Sequence, residues 1–408
     1  MSNPVDLRSD TVTRPSSAMR EAMHAAPVGD DVFDEDPTIH ALQDRGAALL
    51  GMEAALYVPS GTMANQLALL VHCRSGDDVL AGYGAHIYMY ESGAGSAIAG
   101  VNFSVIGNGG HFTADDVAES VKQTDAAGHI PPTTLVCVEN THNRGGGLVM
   151  DPETYAGISR ACHDRDLMLH LDGARLFNAA VAAGVSPAAW GEHSDTVSIC
   201  LSKGLGAPVG SLLCGSREMI RRAHRYRKML GGGMRQAGVI AAGGLYALDH
   251  HIEGLVDDHR RTRALAEVVA TCRRAHVDLD RVMSNILIFD VEGATAAEYC
   301  DRLKEDALVL PVGPQSIRAV FHRDVDDAGG WVHHALLRGS RTAVVTAPRT
   351  AMRNMPGIDK DIVAIAESGV IIEVDRCGVN WCEVEKDDHE GWVQKVDIWG
   401  ARPDETFE

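Results

Sequence analysis

Short apolar runs punctuate the first 250 residues, and stretches with helical spacing separate them. Residues 55–58, 79–81, 134–139, 167–171, 196–201 and 211–214 read as strands, and 63–72 and 152–165 as helices. Strands that are apolar on both faces and alternate with helices predict a mostly parallel sheet covered on both sides. From 240 to 274 the pattern is helical, with charges on one face. It leads into a strand (285–291), a helix (294–306) and two more strands (308–311 and 316–321), a small α/β unit ending near Leu337. Further on, 362–399 alternates Val and Ile with polar residues and is broken by Gly369, Gly378 and Gly391, as in a small antiparallel β unit. Residues 338–351 serve as the joint. The expected organisation is a large α/β domain over 1–250, a small α/β domain over 251–338 and an all-β barrel over 342–402.

Composition narrows the function. The chain has 408 residues, is 45% hydrophobic and carries a formal net charge of -19. That balance argues against nucleic acid, whose phosphates demand a basic face. It leaves room for a small anionic ligand in a local basic pocket. No apolar run approaches the ~18 residues that span a bilayer. The start, Met1-Ser2-Asn3-Pro4-Val5-Asp6, has no basic segment followed by an apolar one, so no secretory leader is expected. Nine scattered cysteines fit a reducing cytoplasm better than a disulfide framework.

The chemistry concentrates at two strand ends. Leu169-His170-Leu171 delivers Asp172, and Val197-Ser198-Ile199-Cys200-Leu201 delivers Lys203 onto a glycine-containing loop. A partly desolvated lysine forms imines readily, and a carboxylate keeps a pyridine nitrogen protonated; pyridoxal phosphate needs both. Ser60, Gly61 and Thr62 follow a strand and open a helix, where amides and hydroxyls suit a phosphate. Arg175 offers a two-pronged grip on a carboxylate. Singly, each has a plainer role: a helix cap, an Asp-Arg pair at the sheet edge, a solvated lysine. No metal site is expected, because the adjacent pairs His250-His251 and His333-His334 diverge on a helix. Gly107-Asn108-Gly109-Gly110 lacks dinucleotide spacing and reads as a loop.

Several ordered motifs carry a resemblance: Asp6 through Thr13, Gly29-Asp30-Asp31-Val32, Glu35 through Thr38, Glu139 through Asn143, His170 through Arg175, Ser202 through Gly206, and Gly231 through Gln236. Together, over about residues 4–327, they closely resemble the low-specificity L-threonine aldolases, fold-type-I pyridoxal-phosphate enzymes of the β-eliminating lyase group. The resemblance implies that Lys203 holds the cofactor through an imine, Asp172 bonds the pyridinium nitrogen and Ser60, Gly61 and Thr62 bind the phosphate. It implies that His86 stacks on the ring, that Ser9, Arg175 and Arg318 grip the substrate carboxylate, and that Arg235 is contributed across a subunit contact. His129, ten residues before Glu139, falls where the family has a histidine near the substrate hydroxyl.

The implied activity is cleavage of L-threonine, L-allo-threonine and related β-hydroxy-α-amino acids to glycine and an aldehyde, with His86 or His129 taking the hydroxyl proton. The implied assembly is a homo-oligomer, a dimer of dimers. Another fold-type-I lyase, eliminating or cleaving phenylserine, and a non-catalytic scaffold whose tail binds a partner are the alternatives. The family commonly has Tyr-Gly where this chain has Phe33-Asp34. The tail resembles a bacterial Src-homology-3-like domain, through Ala351-Met352-Arg353, Glu373-Val374, Trp381 through Val384, Gly391-Trp392-Val393 and Ile398-Trp399-Gly400. That resemblance implies a ligand, a peptide or cell-wall material. Trp381, Trp392 and Trp399 read either as an aromatic groove or as core filling, and Cys377 and Cys382 as facing thiols.

Overall fold

The computed structural model describes residues 4–326 and 341–399, apart from 346–348, 357, 359, 368–370, 378–379, 387–388 and 395–396. After a short β1 (Val5–Asp6) come β2 (Ala54–Val58), β3 (Asp78–Gly82), β4 (Asn102–Ile106), β5 (Thr133–Glu139), β6 (Met168–Gly173), β7 (Thr196–Cys200) and β8 (Ser211–Gly215). The last seven form one sheet in the order β2-β8-β7-β6-β5-β3-β4. β4, β3, β5, β6 and β7 run parallel; β8 is antiparallel to both β7 and β2. β3, β7 and β8 are buried along their whole length, as strands covered on both faces must be. β4 was not legible as a strand: it is an edge, and only Ile106 of it is buried.

The second unit holds β9 (Ala275–His276), β10 (Ile286–Val291), β11 (Ala307–Leu308), β12 (Leu310–Pro311) and β13 (Ser316–Val320). β12-β13-β10-β9 is antiparallel, with the helices Leu255–Ala270 and Ala296–Leu303 against it. The helical stretch expected over 240–274 is two helices, Gly238–His250 and Leu255–Ala270, separated at 251–254. One finding departs from the expected division. β1 pairs in parallel with β11, and Leu7 is buried in the second core with Leu265, Phe289, Ile317 and Phe321. A two-residue strand has no periodicity to read. Its pairing leads the chain from the second unit straight to the cleft of the first. The expected end of this unit near Leu337, with Gly329-Gly330 and His333-His334, lies outside the described residues.

In the tail, β14 (Arg341–Val345), β15 (Arg349–Arg353), β16 (Ile362–Glu367), β17 (Ile371–Cys377), β18 (Trp381–Lys386), β19 (His389–Gln394) and β20 (Ile398–Trp399) form an antiparallel sheet. Much of the expected joint is therefore strand: β14 lies between β17 and β20. Cys382, Val384 and Val393 face the small core with Met352, Ile372 and Val374. Trp381 and Trp392 are half-buried on the other face, since Trp392 opposes Glu383 and side chains alternate. Core filling is thus excluded for these two. Cys382 is disulfide-bonded rather than a thiol, and the strand register sets Cys377 opposite it.

Candidate active site

Parallel strands place their carboxyl ends on one edge of a sheet, where ligands of such folds bind. Here β5 ends at Glu139, β6 reaches Asp172, and the loop after β7 carries Lys203. The helix Gly61–His72 opens toward the same edge, and a cleft of about 260 Å³ lies between them. It is lined by Ser9, Ser60, Gly61 and Thr62, by His86 and Asp172, and by Arg175, Lys203 and Arg318. The structure therefore brings together nine of the eleven side chains singled out in the sequence.

At one end of the cleft, Ser60 adopts an extended backbone and its Oγ accepts the Met63 N–H at 3.2 Å. That cap leaves the first amides of the helix directed at the cleft. Gly61 is required there, because a Cβ would sit 2.7 Å from Cys200 Sγ. At the floor, Asp172 Oδ1 accepts the Ala174 N–H at 3.1 Å and Oδ2 accepts Asn65 Nδ2 at 2.8 Å. Lys203 is half-buried on a turn closed by Gly206 N–H to the Lys203 carbonyl at 2.8 Å, with Gly206 at φ +77. An amine, a buried carboxylate and a helix N-terminus fit pyridoxal phosphate at its aldehyde, ring nitrogen and phosphate.

His86 is held by its backbone, which donates to Glu139 Oε2 at 2.6 Å, and by its Nδ1, 3.1 Å from Glu91 Oε1. Burial opposes the charged ring, but the Glu91 hydrogen bond and the charges of Asp172 and Glu91 outweigh it and raise its pKa.

At the other end, Arg175 is buried and forked onto Asp10, Nε to Oδ2 at 2.6 Å and Nη2 to Oδ1 at 2.7 Å. Its partner is thus Asp10, not the nearby Asp172. Arg318 donates to Asn143 Oδ1 at 3.1 Å and to the Arg8 carbonyl at 3.1 Å, while its buried Nε has no partner. Burial, and after it the charge of Arg175, holds Arg318 below the usual guanidinium range. Two cations share one neutral acceptor, and the second lacks a carboxylate. An anion is what this end of the cleft is built to take.

Two predicted residues stand outside. His129 is 79% exposed, with Nδ1 3.0 Å from Asp125 Oδ2. It precedes β5, whereas Glu139 ends it; seven residues at about 3.3 Å each put opposite edges of the sheet between them. His129 does not line this cleft within the single chain. Arg235 also lies outside it, 58% exposed and 3.2 Å from Asp30. Phe33 is exposed, and Asp34 has φ 60, a conformation that suits the glycine expected of relatives.

Asp10, Asn65, Glu91, Glu139 and Asn143 were not singled out. Asp10, Glu139 and Asn143 sit inside conspicuous motifs. Asn65 and Gln66 had a signal of their own, a polar pair in an otherwise apolar helix face, which must find partners when buried. His86, Glu91 and Asp172 have ligand atoms within 4.8 Å of one another, a spacing that a metal ion also uses, but amide donors bridge the two carboxylates.

Residues 6–292 match the beta-eliminating lyase family, and residues 346–400 match the bacterial SH3 domain. The low specificity L-threonine aldolase of Escherichia coli K12 is 45% identical over 323 residues, covering 79% of this chain and 94% of that one. Low-specificity L-threonine aldolase 1 of Arabidopsis thaliana is 41% identical, covering 81% of this chain and 94% of its own. Among solved structures, the Leishmania major threonine aldolase superposes with TM-score 0.71 at 18% identity, over 82% of this chain and 99% of that one. The Sphingomonas wittichii serine palmitoyltransferase gives 0.64 at 16%, over 82% and 86%, so the shape alone does not select the reaction. Sequence match and cleft agree: this chain belongs to the beta-eliminating lyase family of pyridoxal-phosphate enzymes, beside the low-specificity L-threonine aldolases.

Proposed function

We propose that this protein cleaves L-threonine, L-allo-threonine and related β-hydroxy-α-amino acids to glycine and an aldehyde. The observation that carries this reading is the Arg175–Asn143–Arg318 grouping, which calls for an anion in the cleft that Ser60 also lines. An α-carboxylate there, in a cleft that Lys203 and Asp172 also line, suits an amino acid. Ser9 lines the same cleft and offers its hydroxyl.

Pyridoxal phosphate, when bound, supplies the electron sink for the breaking Cα–Cβ bond. Ser60, Gly61 and Thr62 would hold its phosphate, Asp172 would keep its ring nitrogen protonated, and Lys203 would be the amine that anchors it. The arginines would fix the carboxylate and so set the orientation of the bonds at Cα. His86, the histidine lining the cleft, would lie against the cofactor and exchange the proton of the β-hydroxyl. Product analysis tests this. Glycine with acetaldehyde is expected from threonine; a keto acid with ammonia identifies an eliminating lyase instead, and no turnover leaves a scaffold.

Arg235, on an exposed glycine-rich loop, contributes to the cofactor site of a second copy in a homo-oligomer, a dimer of dimers. The tail presents Trp381 and Trp392 together on its outer face, a suitable groove for a peptide. The seven free thiols among the described residues of the two α/β units favour a reducing compartment. No helix among the described residues is long and apolar enough to cross a membrane.

A further inference from the structure

We propose that Glu91, which does not line the cleft, is a positioning residue for the retro-aldol chemistry: it fixes the proton of His86 on Nδ1 and, through Asn65, ties His86 to Asp172. This rests on the aldolase reading, but its geometry stands apart from the choice of substrate.

Glu91 is 3% exposed, yet its carboxylate is fully occupied. Oε1 accepts Asn65 Nδ2 at 2.8 Å and faces His86 Nδ1 at 3.1 Å; Oε2 accepts Gln66 Nε2 at 2.7 Å. Two amide N–H donors, from Asn65 and Gln66, favour the ionised form of Glu91 against the burial that raises its pKa, and an ionised acid can only accept from the ring. The proton of His86 therefore sits on Nδ1. Nε2, without a protein partner among the described residues, is the nitrogen left to meet a substrate hydroxyl.

The amide of Asn65 extends this order to the cofactor's carboxylate. Its two N–H bonds go to Glu91 and to Asp172, the latter also at 2.8 Å. Its oxygen faces Ser198 Oγ at 2.9 Å and His170 Nε2 at 3.1 Å. An amide oxygen only accepts, so His170 carries its proton on Nε2. Its Nδ1 then accepts the Thr196 hydroxyl at 2.9 Å, and that hydroxyl accepts His72 Nε2–H at 2.8 Å. Every donor from His72 onward points toward the two acids. Burial holds the pKa of His72 to about 3 and of His170 to about 4, which keeps both neutral and the direction unbroken.

Two buried acids separated by one amide leave two places for positive charge. Asp172 faces the ring nitrogen of the cofactor, and Glu91 faces His86. The groups acting on His86 are Glu91 and Asp172, which favour its charged form, and Lys203, which opposes it. Glu139 bonds its backbone, and the Tyr90 ring lies 5.7 Å away.

The test is proton–nitrogen correlation NMR of the histidine-labelled full chain, with and without pyridoxal phosphate, using His86→Asn for assignment. In the wild type the neutral ring of His86 is expected to carry its proton on Nδ1. In Glu91→Gln its midpoint falls by about one pH unit or more. In the loaded enzyme kcat for threonine falls about tenfold to hundredfold, with KM within about threefold, and the pH profile of kcat moves with the midpoint. Glu91→Asp, which restores the charge, recovers part of both. A wild-type His86 with its proton on Nε2, or a folded Glu91→Gln with an unmoved midpoint, overturns the proposal. If that variant does not fold, the wild-type proton position decides alone. A failure to form glycine refutes the aldolase reading without touching the NMR result.

Discussion

Asp10 and Arg175 lie 165 residues apart in sequence and meet in a fully buried two-pronged ion pair, at 2.6 and 2.7 Å. Asn285 Nδ2 adds a third donor to Asp10 Oδ2 at 3.2 Å. The pair joins the N-terminal segment, the large sheet and the small unit at one point. It also aims the remaining Nη1 of Arg175 toward Asn143 at 3.5 Å, on the substrate side.

Asp10→Asn keeps the shape but removes the charge that steers Arg175. A buried charged hydrogen bond contributes about 1.5–3 kcal/mol, so KM for threonine should rise about tenfold to hundredfold. Steady-state kinetics at saturating cofactor checks this. A fall in kcat alone, with KM unchanged, contradicts it.

The same pair predicts an acid limit. Burial raises the pKa of Asp10, but the charge and hydrogen bonds of Arg175 outweigh it and hold it near 2. A depressed carboxylate stabilises the fold above its unfolded pKa of about 3.9, and that stability is lost as pH falls toward 2. The contribution is on the order of 2 kcal/mol. In denaturant titrations from pH 5 to pH 2, Asp10→Asn should lose stability less steeply than the wild type.

His170 works at higher pH. Burial depresses it to about 4, so the folded protein prefers the neutral ring and stability declines as pH drops from 6.5 toward 4. Thr196→Val leaves His170 Nδ1 and His72 Nε2 unpartnered, and should cost about 1–3 kcal/mol at pH 7. Urea unfolding of the variant reads this directly; an unchanged midpoint means the relay is not a stabilising element.

The tail should be dispensable for turnover. The Escherichia coli relative is covered over 94% of its length by 79% of this chain, and the SH3 domain match begins only at residue 346. A chain ending at Leu337 should keep kcat/KM for threonine within about twofold, because no residue of the cleft comes from beyond Arg318. A loss of tenfold or more refutes the separation.

The sheet was legible because its strands are short, apolar and bounded by turns, so each buried run announced itself. Asp172 and Lys203 were legible because polar residues that close such runs stand out. Edge strand β4 and two-residue β1 escaped for the opposite reason: half-exposed or very short elements have no burial pattern. The spacing of His129 and Glu139 did not show that they lie at opposite ends of β5. Asp10 and Asn65 act by side-chain contacts with residues 26 to 275 positions away, and no local spacing encodes those. Trp381 and Trp392 became interpretable only once the β18–β19 register fixed their face.

The anchoring role of Lys203 is the centre of this account, and reduction with borohydride followed by peptide mapping tests it most directly. The cofactor-loaded wild type should yield one pyridoxyl adduct, on the peptide containing Lys203, and Lys203→Ala should yield none and lose threonine cleavage. An adduct on another lysine, or a Lys203→Ala variant that retains both adduct and cleavage, would contradict it.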